Sequence, residues 1–190
     1  MNHKLTDRKY WGNYYNQAYS NKEQIETICS VYDDLWDKFI KHKKNGEVVT
    51  IIEIGAFPGR YISYISKKYG LIPSALDYNK NTEQIKNSFN AMGLNKFSLI
   101  RDDFLKLKFN KKYNYVYSIG FIEHFINFRE IMDNHLKLLE NKGRLPTTSP
   151  VFTPSGIISL AFFTNRLNGI MLGIGSFNPR FTLPFNKAIM

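Results

Sequence analysis

With 190 residues, 43% of them hydrophobic and 22% charged, the chain has the composition of one folded domain with a core of its own, which excludes a disordered or fibrous protein. A single cysteine, Cys29, excludes an internal disulfide and fits a reducing, cytoplasmic setting. The formal charge of +10 comes from lysines scattered in short groups such as Lys67/Lys68 and Lys106/Lys108/Lys111/Lys112, the pattern of a solvated surface rather than of a specific nucleic-acid face.

The first ten residues are polar, without the apolar stretch of a signal peptide, and no run of about 18 apolar residues marks a transmembrane segment. Residues 7–19 are rich in aromatics: Tyr10, Trp11, Tyr14, Tyr15 and Tyr19. From Lys22 to Lys43, Ile25, Ile28, Tyr32, Leu35, Trp36, Phe39 and Ile40 keep helical spacing and predict one amphipathic helix, closed by Asn45-Gly46. Residues 1–45 thus form a helical extension.

At Val48 the period changes. The β-branched run from Val48 to Ile54 predicts a strand buried on both faces of a parallel sheet. A Gly/Pro loop leads to a helix over 60–69 and a second strand over 72–76, in which Pro73 is tolerated only near the strand's start. A helix over 81–92, strands over 96–101 and 113–118, a helix over 127–139 and a fifth strand over 144–149 follow. Strands alternating with helices predict a parallel α/β sheet, whose ligands bind beyond the carboxyl ends of the strands.

Four strand ends carry the residues of interest. The first reads Glu53-Ile54-Gly55-Ala56-Phe57-Pro58-Gly59. Gly55 lets the backbone turn out of the strand and Gly59 lets the next helix begin close to a ligand. The spacing is not the G-x-G-x-x-G of a dinucleotide site, and the acid before the first glycine repels a pyrophosphate but suits an ammonium group. The second ends in Asp77-Tyr78, with Asp77 18 residues beyond Gly59, near the distance at which an acid reaches a ribose. Tyr78 offers an aromatic face to a base. The third ends in Asp102-Asp103-Phe104, an acid for an adenine amino group beside an apolar wall; Asp103 is favoured over Asp102. The fourth runs into Ser118-Ile119-Gly120-Phe121-Ile122-Glu123-His124-Phe125.

In order and spacing these motifs resemble class I S-adenosylmethionine-dependent methyltransferases, of the ubiquinone/menaquinone-biosynthesis-like branch (methyltransferase type 11 and 12), over about residues 10–150. The resemblance implies a Rossmann-like three-layer sandwich with a mostly parallel sheet and S-adenosyl-L-methionine as cofactor. It implies that Glu53 orients the methionine ammonium above Gly55 and Gly59, Asp77 holds the ribose with Tyr78 beside the adenine, and Asp103 and Phe104 hold the adenine. Ser118 and Gly120 then face the sulfonium end. His124 is either a general base or a structural hydrogen bonder, and Glu123 has either a substrate-side or a structural role. Tyr10, Trp11 and Tyr14 are either an aromatic lid or core.

Two features depart from the family pattern. Phe57 stands where a middle glycine is usual and narrows the loop, and Pro146 interrupts the expected fifth strand. After it, residues 151–190 show no alternating hairpin, so the expectation is a truncated or remodelled tail without the last antiparallel strands. That leaves an unpaired edge open to self-association. The acceptor is expected to be a small molecule. The alternatives are a defective relative that only binds cofactor, or an RNA methyltransferase. An Asn/Asp-Pro-Pro-aromatic signature for a flipped base is missing, and Ser118-Ile119-Gly120-Phe121 takes its place.

Overall fold

The computed structural model describes residues 21–40, 46–108, 110–140, 158–164 and 170–175. Tyr10, Trp11, Tyr14 and the expected strand over 144–149 with Pro146 lie outside the described residues.

Where one long amphipathic helix is predicted, the chain forms two, α1 (Lys22–Ser30) and α2 (Asp33–Phe39). Asn21 and Gln24 close a reciprocal capping box at the start of α1. The break at Val31-Tyr32 restarts the chain with Asp33 and Asp34 in a fresh first turn, where acids favour the helix dipole. Ile25, Cys29, Trp36 and Ile40 still make one buried stripe across the break.

Then come β1 (Thr50–Ile54), α3 (Arg60–Tyr69), β2 (Ile72–Asp77), α4 (Glu83–Ala91), β3 (Ser98–Arg101), β4 (Tyr115–Ile119), a single 3-10 turn over Ile122–His124, α5 (Phe128–Lys137), β5 (Ile158–Thr164) and β6 (Ile170–Gly175). The first four strands pair in parallel in the order β3-β2-β1-β4. Pro73 falls at the second position of β2. Ile72 donates its N–H toward β1, so the missing N–H of Pro73 faces the other side, where β3 begins only opposite Ser74.

The helices lie on both faces. Ile51, Ala75, Tyr115 and Tyr117 join residues of α1–α4 in one core, while Ile52, Ile54, Leu76 and Val116 join Ile131 and Leu138 of the α5 segment in the other. This alternation explains why β1 reads as a continuous apolar run, since both of its faces are covered. The fold is a Rossmann-like α/β sandwich.

The tail departs from expectation. β5 pairs antiparallel with β4, Ile119 opposite Leu160 and Tyr115 opposite Thr164, and β6 pairs antiparallel with β5. The expected absence of antiparallel strands is therefore corrected. The two runs, Ile158–Thr164 and Ile170–Gly175, are nearly all apolar, so period-2 alternation could not betray them. The overlooked signal is Asn168-Gly169, turn-forming residues between two apolar runs.

Candidate functional site

Strand order reverses at β1, with β2 and β3 on one side and β4 on the other. The carboxyl ends of β1 and of its two neighbours, β2 and β4, are therefore where an open α/β sheet receives a ligand. The loop after β1 is shaped by its two glycines. Gly55 has φ +72°, and a Cβ there would stand 2.6 Å from the Phe121 ring; Gly59 has φ +91° with the backbone of Ile85 close against it. Only glycine fits both demands. Phe57 is buried and belongs to the core cluster shared with α1–α4.

Glu53, 2% exposed, shares the α1–α4 face of β1 with Ile51. Its Oε2 accepts the N–H of Ile62, in the first turn of α3, at 3.0 Å and the hydroxyl of Tyr117 on β4 at 2.9 Å. Burial pushes this carboxyl up to about 8; the two hydrogen bonds and Arg60 work against the rise and Asp77 adds to it. Asp77, 5% exposed, ends β2. Its Oδ2 accepts the Phe57 N–H at 2.9 Å and its Oδ1 the Asn79 N–H at 2.7 Å, so it ties the β1 loop to the β2 turn. Burial raises the Asp77 carboxyl, against these backbone donors. Tyr78 next to it is 43% exposed.

After β3, Asp102 is exposed and takes the Asp103 N–H at 2.7 Å, while half-buried Asp103 takes the Leu105 N–H at 3.1 Å. Both belong to a tight turn. Phe104 is buried edge-on to Phe121 and His135, with centroids 5.7 and 4.8 Å away. Gly120, φ +63°, turns the chain out of β4, and His124 ends the following 3-10 turn, half-buried. The side chain of Glu123 lies outside the described residues.

Ser118 occupies the opposite face from Glu53. It is fully buried and meets Nε2 of His135, on α5, at 3.1 Å. Nδ1 of His135 lies 2.7 Å from the Ile131 carbonyl, which can only accept, so Nδ1 carries the proton and Nε2 accepts from Ser118. The hydroxyl of Ser118 is thus engaged in the interior. Burial holds His135 down to about 4, against an ordinary value of 6.5, so it is neutral at physiological pH. Its stabilising contribution is complete above pH 6.5 and is lost as pH falls through 4. The native chain should lose about 3 kcal/mol of stability over that interval from this group alone. His135→Gln, less stable at pH 7, should lose far less between these limits; equal acid losses in denaturant melts at pH 7 and 4.5 would refute the assignment.

Besides His135, sequence reasoning missed Tyr117 and Arg60. A histidine within an amphipathic helix reads as surface and a tyrosine within a strand as core, but Arg60, directly after Gly59, had a positional signal. Its Nε is buried without a hydrogen-bond partner, at the start of α3. Cys29 is buried and its thiol is pushed up to about 12, which removes it as a nucleophile. Among the described residues no group of three or more His, Cys, Asp or Glu side chains could hold a metal ion, and no helix is long and apolar enough to cross a membrane.

No protein-family model matches the chain, and no curated protein matches it by sequence. Solved structures do match in shape. A methyltransferase from Geobacter sulfurreducens in complex with S-adenosyl-L-homocysteine gives a TM-score of 0.52 at 12% identity, covering 72% of this chain and 53% of its own. One from Thiobacillus denitrificans, with the same ligand, gives 0.51 at 15% identity, covering 75% and 59%. Coclaurine N-methyltransferase bound to N-methylheliamine and S-adenosyl-L-homocysteine gives 0.51 at 13%, covering 74% and 38%. The chain has the Rossmann-like fold of S-adenosylmethionine-dependent methyltransferases, and it spans 38–59% of the length of these three.

Proposed function

We propose that this chain binds S-adenosyl-L-methionine at the carboxyl ends of β1 and β2 and supports transfer of its methyl group to a small-molecule acceptor in a reducing, cytoplasmic setting. One observation carries the reading. At the switch point of the sheet, a glycine loop held at positive φ is flanked by a buried acid from β1, a buried acid from β2 and the orphaned Nε of Arg60. This donor set fits the cofactor. Glu53 suits the ammonium and Arg60 the carboxylate of the methionine part, Asp77 retains acceptor capacity for ribose hydroxyls, and Asp103 with Phe104 and Tyr78 suits the adenine. Ser118 supports the site indirectly, by fixing β4 to His135.

The cofactor supplies an activated methyl group on a sulfonium, so what is asked of the chain is alignment and exclusion of water. Gly55 and Gly59 bring the backbone close, while Glu53 and Asp77 fix the two ends of the ligand. His124, at the end of the turn after β4, is assigned as the base if the acceptor is a hydroxyl. The resemblance, and nothing in the described residues, assigns Tyr10, Trp11, Tyr14 and Glu123 to the acceptor side.

Calorimetric titration with S-adenosyl-L-homocysteine tests this. The native chain should bind with one-to-one stoichiometry, and Asp77→Ala should weaken binding by about 1.5–3 kcal/mol, the loss of charge-assisted hydrogen bonds. Absence of binding by the folded native chain would sink the proposal. Salt-resistant, stoichiometric binding of a specific RNA would overturn the choice of a small acceptor.

A further inference from the structure

Tyr117 lies in the middle of β4 and is completely buried, yet it carries a hydroxyl. A core tyrosine needs a partner for that group, and here the partner is the Glu53 carboxylate at 2.9 Å. On the other side, its ring meets the Trp36 ring of α2 edge-on, with centroids 6.0 Å apart. The direction of the phenol is therefore set by packing against the N-terminal helices. Both donors to Glu53, the Ile62 N–H and the Tyr117 hydroxyl, converge on Oε2. A carboxylate with one oxygen engaged by the fold keeps the other oxygen's lone pairs for a ligand.

We propose that Tyr117 is a positioning residue for cofactor recognition: packed by Trp36, it holds the Glu53 carboxylate by Oε2 so that Oε1 is presented to the ligand's ammonium. The inference rests on the reading of Glu53 as the ammonium ligand. It requires Tyr117 to act through Glu53 and only on ligands that carry the amine.

Two ligands separate this role from plain structural support. S-adenosyl-L-homocysteine carries the amino acid end, and 5′-methylthioadenosine has the same nucleoside without it. Tyr117→Phe keeps the ring and its contact with Trp36 and removes only the hydroxyl. It should weaken the first ligand about tenfold, the size of one hydrogen bond to a charged group, and leave the second within about twofold. In a Glu53→Gln background the same substitution should change neither. Equal loss of both ligands, no loss of either, or an undiminished effect in the Glu53→Gln background would overturn the role of Tyr117 while leaving the cofactor reading intact. A native chain that binds neither ligand would overturn both.

Should Tyr117→Phe fail to fold, native protein labelled with carbon-13 at tyrosine Cζ keeps the idea testable. The Tyr117 resonance should move on adding S-adenosyl-L-homocysteine and stay still with 5′-methylthioadenosine. The same response to both ligands, or to neither, rejects the proposal.

Discussion

Glu53→Gln is expected to unfold at a higher temperature than the native chain at pH 7.5, by something of the order of 5–10 °C, and to lose that advantage by pH 4.5. Glu53 starts from an ordinary value of 4.5 when unfolded and is raised to about 8 by burial in the fold. A group raised in this way contributes fully below pH 4.5, and its contribution drains away as pH rises through 8. Between these limits the unfolded chain releases a proton that the folded chain keeps, so each pH unit costs about 1.4 kcal/mol and the total at pH 7.5 is about 3–4 kcal/mol. Glutamine imitates the protonated acid: its carbonyl can take over the two hydrogen bonds now made to Oε2. Thermal melts of both proteins across pH 4–8 decide the matter, since an equal difference at every pH would mean that Glu53 does not titrate as described. Glutamine cannot release a proton to become the anion that the proposal sets against an ammonium, so the more stable protein should be the weaker binder, as expected where a site is held in an unfavourable state for the sake of its ligand.

The second large effect should come from Gly55→Ala, with a loss of about 2–5 kcal/mol. Two costs add. An alanine at φ +72° sits in the left-handed region, at about 1–2 kcal/mol. Its Cβ would also stand 2.6 Å from Cδ2 of Phe121, below any real contact. The ring cannot retreat freely, because Phe104, Phe125 and His135 pack around it at centroid distances of 5.7, 4.9 and 6.3 Å. Forcing such a shift costs about another 1–3 kcal/mol. Adding Phe121→Ala to Gly55→Ala separates the terms. The double variant should be less destabilised than the sum of the two singles, because the clash is gone and only the backbone strain persists. Strict additivity in chemical denaturation would show that Phe121 does not crowd this glycine.

The sheet that carries the site was legible because its signals are local. A β-branched run, glycines at both ends of a loop and an acid near the end of each of two strands lie in the sequence itself, and they fold into β1, β2 and the Gly55–Gly59 turn where expected. Glu53 and Asp77 were legible as strand-end acids, but neither their burial nor their partners were, since Ile62 and Tyr117 are 9 and 64 residues away from Glu53 and only packing brings them together. For the same reason the Ser118–His135 pair could not be foreseen: periodicity gives the face of a strand that an adjacent residue occupies, not which helix covers that face. The helix break at Val31-Tyr32 was hidden because the apolar stripe continues across it, and β5 and β6 because neither alternates.

The loop between Gly55 and Gly59 is held from several directions at once. The N–H groups of Gly55 and Ala56 reach the Leu76 carbonyl, the Phe57 N–H reaches Asp77, the Pro58 carbonyl accepts the Ser88 hydroxyl at 2.8 Å, and Phe121 bears on Gly55 from β4's side. A segment tied to two strands and a helix in this way has little conformational freedom left for a ligand to remove. Its ordering entropy is lost when the chain folds, before any small molecule arrives, so association at this loop carries almost none of the penalty that a mobile phosphate-type or lid loop would impose. Slow, ligand-gated rearrangement is therefore not to be sought in this turn.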